Sequence, residues 1–358
     1  MHTFTREGVA ATTGELITLP DHASTLTRIA DTRGETFYRG ELAAAIIKDS
    51  EAHAGLMTLD DLANHSADWV IPISQNYHRQ RLHEIPPNGQ GLLALIALGI
   101  LEDFDLQQYP VDSTDSVHLQ VEAVRQAYAI VERQLADPDH MQQPLDDFLE
   151  REFLRQKGAN INLSQASNIL SRVPANPDTV YLTTADSNGM MVSMIQSNYL
   201  GFGSGIVVPG TGISMQNRGR GFTLEDGHPN QVAGGKRPYH TIIPGFVTQN
   251  HTPLMSFGVM GGHMQAQGHV QMVVRIFDYQ QNPQAASDAP RWHVKEDGRL
   301  ALEQGFDIKV AADLAARGHN ITFDEPAYIF GGAQLITKLK NGYCGASDHR
   351  KEGMAAGF

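Results

Sequence analysis

Cysteine is nearly absent. Cys344 is the only one in 358 residues, which excludes an intrachain disulfide. A single thiol fits a reducing compartment, and a cytoplasmic location is the default expectation. Cys344 itself reads as a small residue near a turn rather than a nucleophile. No apolar run reaches the length of a membrane span. The opening Met1-His2-Thr3-Phe4-Thr5-Arg6-Glu7 lacks the basic and then apolar pattern of a signal peptide. Positive charge is in deficit, with 27 Lys and Arg against 40 Asp and Glu, a net charge of −13. That balance speaks against nucleic acid as the main partner and against an anionic membrane surface. No internal repeat and no low-complexity segment is present.

The remaining composition, 41% hydrophobic and 19% charged, is that of a globular protein with a large core. The first half reads as mostly helical. Glu41 to Asp49 is a short amphipathic run. Gly91 to Phe104 is almost wholly apolar, a buried helix opened by the turn Pro86-Pro87-Asn88-Gly89. Val121, Val124, Tyr128, Val131 and Leu135 recur at helical steps. Leu145 to Lys157 continues as polar helix and breaks at Gly158. Ser167 to Pro177 reads as a linker. After Asp178, short β-type runs alternate with glycine-rich turns: Val180–Ala185, Met191–Ser197, Ile206–Val208, Gly212–Met215, Thr241–Val247 and Leu254–Val259. Gln267 to Tyr279 is again helical. Helices, then strands, then helices predict an α+β layered sandwich.

Thr179 opens the first of those strands, after Pro177-Asp178 and before the turn Asp186-Ser187-Asn188-Gly189. A threonine hydroxyl is a weak nucleophile without a base. One economical base is the threonine's own α-amino group, which requires that the preceding bond be cut. Other motifs have ordinary readings. Gly201-Phe202-Gly203-Ser204-Gly205 follows a strand but precedes no helix, so it does not read as a phosphate cradle. Gly234-Gly235-Lys236-Arg237 does not have the spacing of a P-loop. His263 and His269 are six apart, which does not place two metal ligands on one helix face, and no metal or cofactor is expected. Gly261-Gly262 lies between a strand and a helix. It is either a plain turn or a pair of backbone donors for an oxyanion.

Taken in order, these segments resemble the γ-glutamyltranspeptidase (glutathione hydrolase) family of N-terminal-nucleophile hydrolases. The likeness is nearer to the branch that includes cephalosporin acylases and oxamate amidohydrolases. It is carried by Phe37-Tyr38-Arg39-Gly40, Gly55 to Leu62, Pro86 to Gly91, Glu122-Ala123 through Ala127-Tyr128-Ala129 to Asp137-Pro138-Asp139, Asp178-Thr179 and Phe202 to Gly205. It continues through Gln216-Asn217-Arg218-Gly219, Lys236-Arg237-Pro238, Met260-Gly261-Gly262, Asp288 to Arg291 and Gly345 to Asp348. The resemblance implies an αββα four-layer sandwich. It also implies self-cleavage between Asp178 and Thr179. Residues 1–178 would form the C-terminal part of a large-subunit region, mainly helical. Residues 179–358 would form the small subunit that carries the nucleophile. The two would remain together as a heterodimer. Thr179 would form the acyl-enzyme, Ser197 would hydrogen-bond it, and Gly261 and Gly262 would supply the oxyanion hole. The substrate would be a small amide such as a γ-glutamyl compound, hydrolysed or transferred. The alternatives are another carboxylate-bearing amide, of cephalosporin acylase or oxamate type, and an inactive fragment.

The substrate contacts depart from the family pattern. Tyr199, Arg218, His240 and Thr241 line the expected pocket. Tyr199 replaces an asparagine, and His240 and Thr241 fall where a serine pair holds the glutamyl carboxylate. The acidic residue that binds the glutamyl ammonium aligns with Gly221. A lost charge-assisted contact costs roughly 1.5–3 kcal/mol, so poor discrimination for γ-glutamyl donors is expected. The family has a long region before the segment matching Met1. The chain therefore reads as N-terminally truncated, with exposed sheet edges, inactive on its own and with secretion left open.

Overall fold

The computed structural model describes residues 3–167, 169 and 178–358. Most of the expected linker, residues 168 and 170–177, lies outside the described residues. The chain divides into two compact units.

One unit comprises Met1–Trp69 with Leu200–Asn217. Its helices are Pro20–Asp31, Glu35–Arg39, Glu41–Ala52 and Leu59–Ala63. The expected amphipathic run is the third of these, and it buries Leu42, Ala43, Ile46 and Ile47. Ile46 and Ile47 form a small core with Val208, flanked by Phe37, Met57, Leu62, Ile213 and Met215. The fourth helix starts at a capping box in which Thr58 and Asp61 satisfy each other's backbone N–H. The strands expected at Ile206–Val208 and Gly212–Met215 reduce to a single bridge, Val207 with Ser214. Pro209 and the left-handed Gly210 and Gly212, at φ 69° and 70°, turn the chain before a ladder can extend.

The other unit, Val70–Tyr199 with Arg218–Phe358, holds the main core. Its strands include β1 (Ile73–Tyr77), β2 (Gln80–Glu84), β3 (Asp178–Ala185), β4 (Met191–Tyr199), β5 (Gly245–Gln249), β6 (Thr252–Met260), β7 (Gly332–Leu339) and β8 (Gly342–Ser347), beside a small three-stranded sheet of Trp292–Val294, Leu300–Leu302 and Ile321–Thr322. Six of them form an antiparallel sheet in the order β8-β7-β6-β5-β2-β1, and β3 and β4 form a separate hairpin. Helices α1 (Gly91–Leu101), α2 (Thr114–Gln134) and α3 (Met264–Phe277) pack on one another, and α1 and α3 also meet the sheet. Every residue of α1 is buried, as its uninterrupted apolar sequence requires.

Strand alternation decides which layer lies on which face. On β6, Val259 meets Gly268 of α3 and the Phe257 ring packs tilted against His269 of α3 at 4.6 Å, so these residues face the helices. Ser256 and Gly258 face the other way. Thr183 of β3 hydrogen-bonds Ser256, and the Tyr181 ring covers Gly258. The hairpin is therefore a second β-layer, giving the order helices, sheet, hairpin. Its outer face carries the exposed side chains Val180, Leu182, Val192 and Met194, so among the described residues nothing forms a fourth layer there.

Three strand expectations are corrected. β1 and β2 lie in the half read as helical; they occupy one side of the sheet, and their mixed polar sequences carry little strand signal. β7 and β8 were not anticipated either. The strand read at Thr241–Val247 begins only at Gly245, because Pro244 has no N–H to donate to a ladder. Among the described residues no helix is long and apolar enough to cross a membrane.

Candidate active site

Thr179 lies at the start of the hairpin, in a bulge. Val180 pairs with Gln196, yet Asp178 pairs with Tyr199. Ser197 and Asn198 therefore both stand opposite Thr179. Thr179 shares the inward face of Tyr181 and Thr183 and is buried at 8% exposure. Its Oγ1 has no hydrogen-bond partner among the described residues. Ser197, across the bulge, accepts the Tyr199 N–H at 2.8 Å through its Oγ. The bulge ends at Tyr199, which takes a left-handed conformation at φ 82°. That geometry turns the Tyr199 ring into the protein, where it is 3% exposed.

Tyr199, Arg218 and Thr241, drawn from three separate stretches, meet. The Arg218 guanidinium lies 4.8 Å from the Tyr199 ring centroid and donates to Thr241 Oγ1 at 2.9 Å. Burial lowers the Arg218 pKa to about 10, which leaves it cationic at neutral pH. His240, next in the chain to Thr241, accepts the Ile242 N–H through Nδ1 at 3.0 Å. Burial, then Arg218 and Arg237, lower its pKa to about 4, so the ring is neutral. All four expected pocket residues thus lie on contiguous structure. Gly221 also belongs there. A Cβ at this position would stand 2.1 Å from the backbone oxygen of Tyr239, and the Gly221 carbonyl is held by Asn230.

Gly261 and Gly262 join β6 to α3 at φ 136° and 57°, conformations that favour glycine. Their carbonyls are tied down: Gly261 accepts from Met264 N and Gly262 from Gln265 N, each at 3.0 Å. Peptide planarity then sets the opposite direction for the Gly262 N–H.

Sequence reasoning passed over three residues beside this turn. Gln90, fully buried, donates to the Gly262 carbonyl at 2.6 Å and to the Thr241 carbonyl at 3.2 Å. Tyr239 donates to Gln90 Oε1 at 3.0 Å. His263 lies between Tyr239 Oη at 3.2 Å and Tyr199 Oη at 3.4 Å. Gln90 was visible only as part of Pro86 to Gly91. His263 was visible only as half of a histidine pair with His269, and the structure parts them, since His269 bonds Glu84 at 2.6 Å in the core. His118, Glu122 and His319 offer buried ligand atoms within 4.8 Å of one another. Both Glu122 oxygens already accept, from Arg125 and from Ser167 N–H, and Arg125 and Arg317 oppose added positive charge there.

The chain matches a family model described as Gamma-glutamyltranspeptidase over residues 1–358. It is 33% identical to the glutathione hydrolase-like YwrD proenzyme of Bacillus subtilis, covering 99% of this chain and 69% of that protein. It is also 33% identical to the oxamate amidohydrolase proenzyme of Klebsiella pneumoniae, covering 98% of this chain and 67% of that protein. The crystal structure of a cephalosporin acylase from Bacillus halodurans superposes with a TM-score of 0.93 at 43% identity, over 99% of this chain and 65% of the other. The chain thus spans about two thirds of the length of these relatives, and the fold is that of the N-terminal-nucleophile hydrolases.

Proposed function

This chain belongs to the γ-glutamyltranspeptidase family of amidohydrolases, and from that premise we propose that Thr179 is its nucleophile and that it acts on amides whose acyl group ends in an anion. The support for Thr179 is its enclosed hydroxyl, which has no hydrogen-bond partner among the described residues, in a bulge at the start of the second β-layer, together with relatives described as proenzymes. The hydroxyl attacks the Asp178 carbonyl, the peptide bond gives way to an ester, and water releases Thr179 with a free α-amino group. The two fragments stay together as a heterodimer. In turnover that amine takes the hydroxyl proton as Thr179 attacks the substrate carbonyl. The Gly261 and Gly262 N–H groups stabilise the oxyanion. The amine then protonates the leaving group, and water or an acceptor amine resolves the acyl-enzyme.

One observation carries the substrate class. Gly221 cannot hold the carboxylate that would bind an ammonium, because Tyr239 O fills the space, while Arg218 brings positive charge to the same pocket. A dicarboxylic mono-amide or an oxo-acid amide suits that charge. A γ-glutamyl amide remains a second reading: relatives are named glutathione hydrolases, and its α-carboxylate could use Arg218, though its ammonium gains nothing. With the family's preceding region present, intact-mass measurement is expected to show a fragment that begins at Thr179. The Thr179→Ala chain should stay whole. Cleavage of that variant at the same bond would end the nucleophile assignment.

A further inference from the structure

We propose that Gln90, Tyr239 and His263 form a one-directional, neutral hydrogen-bond chain that fixes the Gly262 peptide and the Tyr199 ring on either side of the reacting centre, which makes them positioning residues. The proposal deepens the Thr179 reading and rests on it for its catalytic meaning, but not for its geometry.

The direction follows from what each atom can do. Gln90 touches two carbonyls, Gly262 and Thr241, with one end of its amide, so that end is the NH2 group. Its other end, Oε1, can only accept. Tyr239 must therefore spend its one proton on Gln90 Oε1. Its remaining contact, to His263 Nδ1, can be made only by accepting, so Nδ1 carries the hydrogen. His263 is 4% exposed, and burial, His293 and Arg218 all disfavour its charged form. With Nδ1 protonated in a neutral ring, Nε2 has a lone pair and accepts from Tyr199.

The order is thus Tyr199 O–H to His263 Nε2, His263 N–H to Tyr239 Oη, Tyr239 O–H to Gln90 Oε1, and Gln90 N–H to the Gly262 carbonyl. Tyr128 secures the middle by donating to the His263 carbonyl at 2.9 Å. One end of the chain sets a peptide next to the expected oxyanion donors. The other holds the strand partner of Asp178, beside Thr179. No proton leaves the chain and no member changes charge, so its role is orientation.

The titratable and charged groups facing His263 are Tyr199, Tyr239, Tyr128, His293 and Arg218. Long-range proton–nitrogen spectra of the histidine rings, with His263→Asn to identify the signals, test the chain directly. The expected result is a neutral ring protonated on Nδ1 from about pH 5 to about pH 9. Tyr239→Phe should shift the ring toward the Nε2-protonated form. An Nε2-protonated ring in the unmodified protein, or ordinary titration near pH 6.5, would overturn the proposal whether or not the enzyme turns over. In kinetics, Gln90→Met is expected to lower kcat about 100-fold with KM changed less than about threefold, the mark of lost positioning. An unchanged kcat would overturn it. Absence of self-cleavage with the family's preceding region present would count against Thr179 and leave the spectral test standing.

Discussion

At the scale of single residues, the proposed acyl pocket turns on charge and space. Arg218 is held between the Tyr199 ring and Thr241, and its cation is the recognisable handle. Replacing it by glutamine should reduce kcat/KM for a glutaryl anilide by about 10- to 100-fold, the worth of one charge-assisted hydrogen bond. A plain butyryl anilide should be nearly unaffected, and parallel loss on both substrates would refute the role. Gly221→Asp is the complementary test. Restoring the family's carboxylate ought to create a preference for γ-glutamyl over glutaryl anilide if side-chain identity were all that mattered. The 2.1 Å approach to Tyr239 O says otherwise. Backbone must move, so the variant is expected to lose roughly 1–3 kcal/mol of stability and gain no such preference. Unfolding curves and the ratio of the two donors measure both.

At the scale of elements, the hairpin β3–β4 places Thr179, and its seat on β6 is set by small residues. Gly258 admits the Tyr181 ring, and a Cβ there would stand 2.4 Å from it. Tyr181 also bonds Ser193, which in turn donates to the Phe257 carbonyl. Gly258→Ala should lift the hairpin from the sheet. The expected cost is about 1–3 kcal/mol, with self-cleavage slowed, since the proposed scissile bond lies in this strand. Denaturant midpoints and the time course of fragment release are the measurements. Tyr181→Leu in the Gly258→Ala background should recover part of both; no recovery would show that the contact does not control the seat.

At the scale of the whole molecule, buried imidazoles set the response to acid. Burial lowers the pKa from 6.5 to about 3 in His263 and His319, and to about 4 in His240 and His293. In the unfolded chain these rings take protons near pH 6.5; in the folded chain they do so only far below it. The unfolded state therefore binds more protons across that interval, and stability falls as pH drops. The contribution is complete above about pH 6.5 and is progressively lost toward about pH 4 for His240 and His293 and about pH 3 for His263 and His319. Urea midpoints between those limits should decline steeply, and His319→Gln should flatten the decline. A flat profile in the parent protein would show that these rings are not neutral in the fold.

The amino-acid sequence determined the pieces whose signals are local. An unbroken apolar run gave α1, and two β-type runs around the turn Asp186-Ser187-Asn188-Gly189 gave the hairpin. The family motifs placed Thr179, Gly261 and Gly262 in order along the chain. What the tertiary structure alone decided is how distant polar groups satisfy one another. Gln90, Tyr239 and His263 are far apart in sequence and individually ordinary, and their meaning arises because enclosed amides, hydroxyls and imidazoles must find partners where water is excluded. Likewise, only packing shows that Gly221 is a filled position rather than a vacant one. β1 and β2 stayed hidden because strands with mixed polar sequence are stabilised by the ladder they join, an interaction no local pattern contains.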